Sequence, residues 1–318
     1  MNAKATLRAP WFGPALALLV LYALFAVLAH DTFPTASVLA TMVRQTSGVA
    51  VCAVGMTLII VTGGIDLSVG SVVAVTTVVI ASMLRAHHSP LASAAAGVLA
   101  AGVCGVVNGS FVGWLKMNPF IVTLGSMSVV RGIAKGLANE QKIDCDPRWL
   151  EALLSPVPEG RAWMLFPWGV WISLAIAIVV ALLLRTTKAG RHVYAVGSNE
   201  ATARLCGIRT GLVKASVYVV AGLLAGWAGV MELSKLTMGD PTTSAGLELK
   251  VIAAVVIGGG SLTGGEGSIA GSVVGALLMT VIETGCTNVG LPNWVQEIVT
   301  GIIIVVAVGL DRFRHAKK

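Results

Sequence analysis

The chain is poor in charge. Only 12% of its 318 residues are Asp, Glu, Lys or Arg, against about 25% in a typical soluble domain. That is too few to coat a water-facing surface, which excludes a soluble protein. It also lacks any polar tract long enough for a separate soluble domain, so residues 1–318 read as one membrane domain. Catalytic patterns are missing as well. There is no HExxH, no GxSxG and no pair of carboxylates on one helical face, so an enzyme is not expected. "GEGSIA" (265–270) fits a nucleotide-binding GxGxxA, but no strand precedes it. A GxxxxGK[ST] element is absent too, so ATP-driven work must come from another subunit. Cys52, Cys104, Cys145, Cys206 and Cys286 are scattered, without CxxC or a histidine at ligand spacing. Neither a metal nor a cofactor is expected. His87-His88 beside Pro90 reads as a solvated loop.

What is present is apolar. Hydrophobic residues make up 56% of the chain and the mean hydropathy is +0.86. Runs of roughly 17–25 apolar residues mark transmembrane helices. About ten occur: 11–29, 38–62, 67–84, 91–113, 119–138, 162–184, 211–231, 243–260, 267–284 and 293–310. The expected fold is all-α and polytopic. The first run exceeds a signal-peptide core and reads as an uncleaved span. With both termini in the cytoplasm, that side holds 13 of the 22 basic residues, among them Lys4, Arg8, Lys116, Lys317 and Lys318. It holds four acids, Asp66, Glu200, Glu266 and Asp311, so the positive-inside rule sets this orientation. Trp11, Trp114, Trp163, Trp168, Trp171 and Trp294 sit at run ends, as an interfacial belt requires.

Two hydrophilic stretches interrupt the pattern. Residues 139–161 are expected outside, either as a connector or as a contact for an external partner. Residues 185–214 are expected in the cytoplasm. "TGGIDLSVGSVV" (62–73) recurs as "TGGEGSIAGSVV" (263–274), with seven of twelve positions identical. Gly-interrupted apolar segments in two halves point to a transporter's substrate path. The span count makes the copies parallel; a re-entrant copy would invert them. Gly105, Gly109 and Gly113, and likewise Gly222 and Gly226, share helix faces and suit close packing.

Asp66 has two compatible readings, the N-cap of the span that begins at Leu67 or a group lining the path. Candidate path and break residues are Gly63, Gly64, Asp66, Ser68, Asn108, Asn118, Thr123, Glu248, Gly264 and Gly265. The amides of Asn108 and Asn118, with Thr123 and Ser126, suit a polyhydroxylated solute or plain helix packing. Glu283 and Glu297 flank the last outside turn.

Four blocks carry a resemblance. "TLIIVTGGIDLSVGSVVAV", "NPFIVTLGSMSVVRGI", "GRHVYAVGSNEATARLCGIRTGLVKASVYVVAGLLAGWAGV" and "AGLELKVIAAVVIGGGSLTGGEGSIAGSVVGALL" are similar to the permease of bacterial ribose/simple-sugar ABC importers, in family order over 48–310. The resemblance implies an inner-membrane permease of about ten spans that pairs with a second copy or a homologue. It further implies a twin-cassette ATPase in the cytoplasm and a periplasmic sugar-binding protein. "GSNEATARLCGI", with Gly197, Ser198, Asn199, Ala201, Ala203, Cys206, Gly207 and Ile208, would be the helix that docks into the ATPase. Its cytoplasmic charge, the capping residues Ser198 and Asn199, and the apolar Ala201, Ala203, Leu205 and Ile208 agree with that role. Glu266 departs from the family's usual Arg or Lys, and "ETGCTNVGLPNW" from its usual Asn-Gly near 284–285. Both departures bear on substrate identity. A polyol or autoinducer as solute, an ion-coupled secondary transporter, and a scaffold without flux are the alternatives.

Overall fold

The computed structural model describes residues 12–157 and 164–315. Lys4, Arg8, Trp11, Trp163, Lys317, Lys318 and the end of the 139–161 loop lie outside the described residues. Within them the chain is almost wholly helical. In order come α1 (Phe12–Leu28), α2 (Ala36–Val61), α3 (Val69–Arg85), α4 (Pro90–Gly113) and α5 (Pro119–Leu137). A strand β1 (Ile143–Asp144) and a 3-10 turn (Arg148–Leu153) follow. Then come α6 (Trp168–Thr186), α7 (Lys188–Ser198), α8 (Glu200–Leu205), α9 (Thr210–Leu236), β2 (Met238–Gly239), α10 (Leu247–Ile257), α11 (Ile269–Asn288) and α12 (Asn293–His315).

Six of these, α2, α4, α5, α6, α9 and α11, are long and apolar enough to cross a membrane, and Gly13–Leu28, Val69–Arg85 and Asn293–Val306 are shorter apolar helices. The architecture is that of an all-α, multi-pass membrane protein. Several spans differ from their expected bounds, and two of the differences bear on the site. The run 243–260 is helical only in the 11 residues of α10, because Gly246 adopts φ +80° before it and Gly258 to Gly260 follow it. The run 211–231 extends to Leu236, since Glu232 and Lys235 continue the helix toward a polar cavity instead of lipid.

The centre of the bundle is α2, α9 and α11, with 72%, 67% and 67% of their apolar windows buried, whereas α5 buries 22%. Leu99 and Val103 on α4, Val129 and Ile133 on α5, and Ile178 and Leu182 on α6 are exposed, as lipid-facing residues must be. Trp114, Trp168, Trp171 and Trp294 are exposed near helix ends, where an amphipathic ring suits the interface.

Glycine lets α4 and α9 pack closely. A Cβ on Gly105 would lie 2.5 Å from Tyr218 O, one on Gly109 2.7 Å from Ala215 O and one on Gly222 2.7 Å from Ala101 O. The backbones of α4 and α9 therefore touch along their shared face, the arrangement that small residues permit where lipid supplies no hydrophobic push.

At the end bearing β1 and β2, cationic side chains tie down carbonyls. Arg131 Nη1 donates to Pro241 O (2.9 Å) and Thr243 O (2.7 Å), and Arg44 Nη1 to Leu154 O (3.0 Å). Lys142 pairs with Asp240 at 3.3 Å. Burial pushes the Asp240 carboxyl up, but hydrogen bonds from Thr242 and the Lys142 ammonium outweigh it and hold the group below the usual carboxylate range. After β2 the chain turns inward. Gly239 packs on Ala81, whereas the Ser244 carbonyl lies against Gly70, about 16 Å earlier along α3 at 1.5 Å per residue.

Gly105→Ala is expected to lower the melting temperature of the purified chain, at a cost of about 1–3 kcal/mol for overpacking. Gly132, with open space around its Cα, is the control: Gly132→Ala should leave the transition in place or raise it, since alanine is the better helix former. Thermal melts of the two variants in one detergent check the contrast.

Candidate functional site

The two glycine-rich breaks lie between paired helices, 62–68 between α2 and α3 and 258–268 between α10 and α11. Gly63, Gly264 and Gly265 all take positive φ, between 77° and 88°, a region that costs other residues strain. Both breaks follow one logic. Non-helical backbone at membrane depth is tolerated only where the protein itself satisfies it.

The first break is satisfied by side chains from three helices. Ile65 O accepts from Thr123 Oγ1 on α5 (3.2 Å) and from Tyr218 Oη on α9 (3.2 Å). Asp66 Oδ1 accepts from Ser68 N (2.8 Å) and Ser68 Oγ (2.6 Å). Asn108 Nδ2 on α4 donates to Ser68 Oγ (3.0 Å), and Ser126 Oγ on α5 donates to Asn108 Oδ1. Asp66, Ser68 and Asn108 are thus one buried network, and the buried Thr123 braces the break beside it through Ile65 O. The capping expectation for Asp66 needs correction. Helix α3 begins at Val69, with Ser68 at its N-cap position, and Asp66 closes a local turn one step earlier. In the second copy a serine takes over: Ser268 Oγ accepts from Gly271 N (3.3 Å) as a true N-cap of α11. Asn118 stands apart from the network. It is exposed and caps α5 by accepting from Phe120 N at 2.9 Å.

The two breaks meet each other. Gly265 N donates to Val61 O, the last carbonyl of α2, at 2.9 Å. A Cβ on Gly264 would lie 3.1 Å from Gly63 Cα and 2.8 Å from Gly197 O. Gly197, at the end of α7, enters the same contact: a Cβ there would lie 1.6 Å from Val61 O and 2.7 Å from Gly265 N. Gly64 has Tyr218 Oη 2.9 Å from its virtual Cβ.

The expected docking segment is two helices, not one. Ser198 ends α7, and Asn199 caps α8 by accepting from Thr202 N at 2.9 Å. Ala201, Cys206 and Gly207 are exposed, and Leu205 is 89% exposed, unusual for a leucine outside the lipid-facing helices. Ile208 is half-buried. Ala203 is 4% exposed and faces the protein, so it seats α8 on the bundle and contributes nothing to an outer surface. Glu200 fastens α8 to α9 through Lys214 (2.6 Å) and to Arg204 (3.1 Å). The hydrogen bond from Lys214 leads in holding the Glu200 carboxyl below its ordinary value. A depressed carboxylate stabilises above its unfolded pKa, so this tie is present at neutral pH and lost as pH falls through the folded value.

At the other end of the bundle is a cavity of about 1110 Å³ between α2, α9, α10, α11 and α12. Its lining is mixed: apolar residues such as Val38, Val49, Leu247 and Ile304 alternate with hydroxyls and amides, Ser37, Thr41 and Gln45 from α2, Thr280, Thr284, Thr287 and Asn288 from α11, and Gln296 and Thr300 from α12. Five charges line it, Glu297 among them, and both lysines are paired with glutamates. Lys235 pairs with Glu232 at 3.5 Å and Lys250 with Glu283. Thr284, which lines the cavity, has its Oγ1 buried without a hydrogen-bond partner. Glu248, in the first turn of α10, has its carboxylate against Gly70, while its neighbours Leu247, Leu249 and Lys250 line the cavity. None of the ten residues expected along the path lines this space. The sequence did carry a signal for it, namely polar stripes at helical spacing in two apolar helices: 37, 41 and 45 on α2, and 280, 284 and 287 on α11.

The transport-permease model "Branched-chain amino acid transport system / permease component" matches residues 38–308. The chain belongs to that permease family. It is 38% identical over 296 residues to the ribose import permease protein of Escherichia coli K12, covering 93% of this chain and 92% of the relative. An L-arabinose ABC transporter permease protein of Azospirillum brasilense is 35% identical over 306 residues, 96% of this chain and 88% of the relative. The ribose import permease protein of Bacillus subtilis strain 168 is 35% identical over 305 residues, 96% and 93% of the two chains. A permease of this family is a transport subunit and not an enzyme, and it is a multi-pass membrane protein.

Solvent access to the cavity is testable by labelling. In a background free of the five native cysteines, Thr287→Cys and Asn288→Cys should react with a water-soluble maleimide, whereas Val129→Cys, which faces lipid, should not. If Thr287→Cys is as inert as Val129→Cys, the cavity is not aqueous.

Proposed function

We propose that residues 1–318 form the membrane permease of an ABC importer that carries a ribose-like pentose or related simple sugar across the bacterial inner membrane. The observation that carries this reading is the near-full-length similarity to ribose and arabinose permeases. The cavity suits such a cargo. Both of its lining lysines are paired with lining glutamates, so it offers hydroxyl and amide partners with no unmatched lysine that would favour an anion. An uncharged polyol-like sugar exchanges its hydration for such groups with little desolvation cost.

In this reading ten helices cross the membrane, with the short α10 completed by the break after it, and both termini are cytoplasmic. The polar cavity opens to the periplasm, where a binding protein delivers sugar. A second copy or homologue completes the path. Helices α7 and α8 dock into a twin-cassette ATPase, with Leu205 as the apolar anchor. The Gly63–Gly64 and Gly264–Gly265 breaks and the Asp66 network sit between that contact and the cavity.

Proteoliposomes are expected to take up ribose or arabinose in an ATP-dependent way only with chain, ATPase and binding protein together. Uptake by the chain alone, driven by a proton or sodium gradient, would establish a secondary transporter instead. Leu205→Glu should reduce ATPase co-purification about tenfold or more, the loss typical of a buried apolar anchor, without changing membrane insertion.

A further inference from the structure

The end of α7 is joined to both helix breaks by backbone alone. Gly197 has no room for a Cβ, since Val61 O and Gly265 N stand 1.6 Å and 2.7 Å from where that atom would be. Gly265 N in turn donates to Val61 O at 2.9 Å. A Cβ on Gly265 would lie 3.0 Å from Ser198 Cα. One side chain reinforces the contact: Tyr194 Oη, one turn earlier on α7, donates to Gly267 O at 2.8 Å. Three segments distant in sequence therefore meet at one point: the end of α2, the second break and the end of α7.

We propose that Gly197 and Tyr194 are positioning residues for transport, the point at which movement of the α7–α8 pair passes to both helix breaks together. A contact between side chains yields by rotamer change. A contact between backbones cannot, and close-packed interiors shift between discrete arrangements instead of deforming. Because Gly264 also packs on Gly63, the two breaks cannot move independently of α7 or of each other. Symmetry of the repeat thus becomes symmetry of response: one displacement of α7 reorients the ends of α2 and α11 in step. The proposal rests on the docking role of α7–α8.

The test uses the full reconstituted importer and measures ATP hydrolysed per sugar transported. Tyr194→Phe removes one hydroxyl and should raise that ratio about fivefold, the factor a single net hydrogen bond commands, while ATPase capture stays at the parent level. Gly197→Ala should hydrolyse ATP with transport largely lost. Gly132→Ala, a change with open space around it on α5 and away from the docking helices, should keep the parent ratio. Since Gly197→Ala risks misfolding, Tyr194→Phe decides. A parent-like ratio in Tyr194→Phe overturns the proposal while leaving the docking reading standing. Undiminished ATPase capture by Leu205→Glu overturns both.

Discussion

The hydrogen bond from Gly265 N to Val61 O is the constraint on which the rest depends. A helix end leaves carbonyls without partners, and in hydrocarbon each such group costs several kcal/mol. Here the last carbonyl of α2 is satisfied by the break between α10 and α11, so two structural liabilities cancel. The cancellation demands that backbones approach without side chains between them. That is why glycine occupies 197, 264 and 265; Gly63, where a Cβ would meet open space, is set by its positive φ, which Gly264 and Gly265 share.

From this joint the polar groups divide into two regions. Around the first break, Asp66, Ser68, Asn108, Ser126, Thr123 and Tyr218 satisfy one another and the exposed backbone. Their work is to hold the break. The cavity residues, in contrast, present hydroxyls, amides and charges to open space, both lysines paired with glutamates. The joint and the cavity thus lie at different ends of α2 and α11, with the short α10 alongside both.

Much of this was legible in the sequence. Charge scarcity and run length gave a multi-pass helical protein, and the repeated TGG gave both breaks. Local capping rules placed Asn199 correctly because a cap depends on a few adjacent residues, whereas Asn118, read as a path or packing amide, is the cap of α5. Asp66 was harder: capping chemistry fits the residue, but the helix starts two positions later, and the carboxylate serves the turn instead. Gly197 was unreadable as a packing residue, since nothing local shows that Val61 and Gly265 will close on it. The cavity was missed because attention to the glycine breaks passed over Thr280, Thr284 and Gln45, whose meaning lies in their spacing along otherwise apolar helices. Ala203 shows the opposite failure, an apolar residue assigned to a partner that the chain itself covers.

Amide hydrogen exchange of the chain in lipid nanodiscs tests the joint most directly. The glycine-rich segment 258–268 has no helix, and by composition should exchange as fast as an open loop. If its amides are tied as Gly260 N is to Val255 O, Ser261 N to Glu266 O and Gly265 N to Val61 O, peptides covering it will exchange as slowly as those from α11. Exchange at the rate of an unprotected peptide would contradict the account.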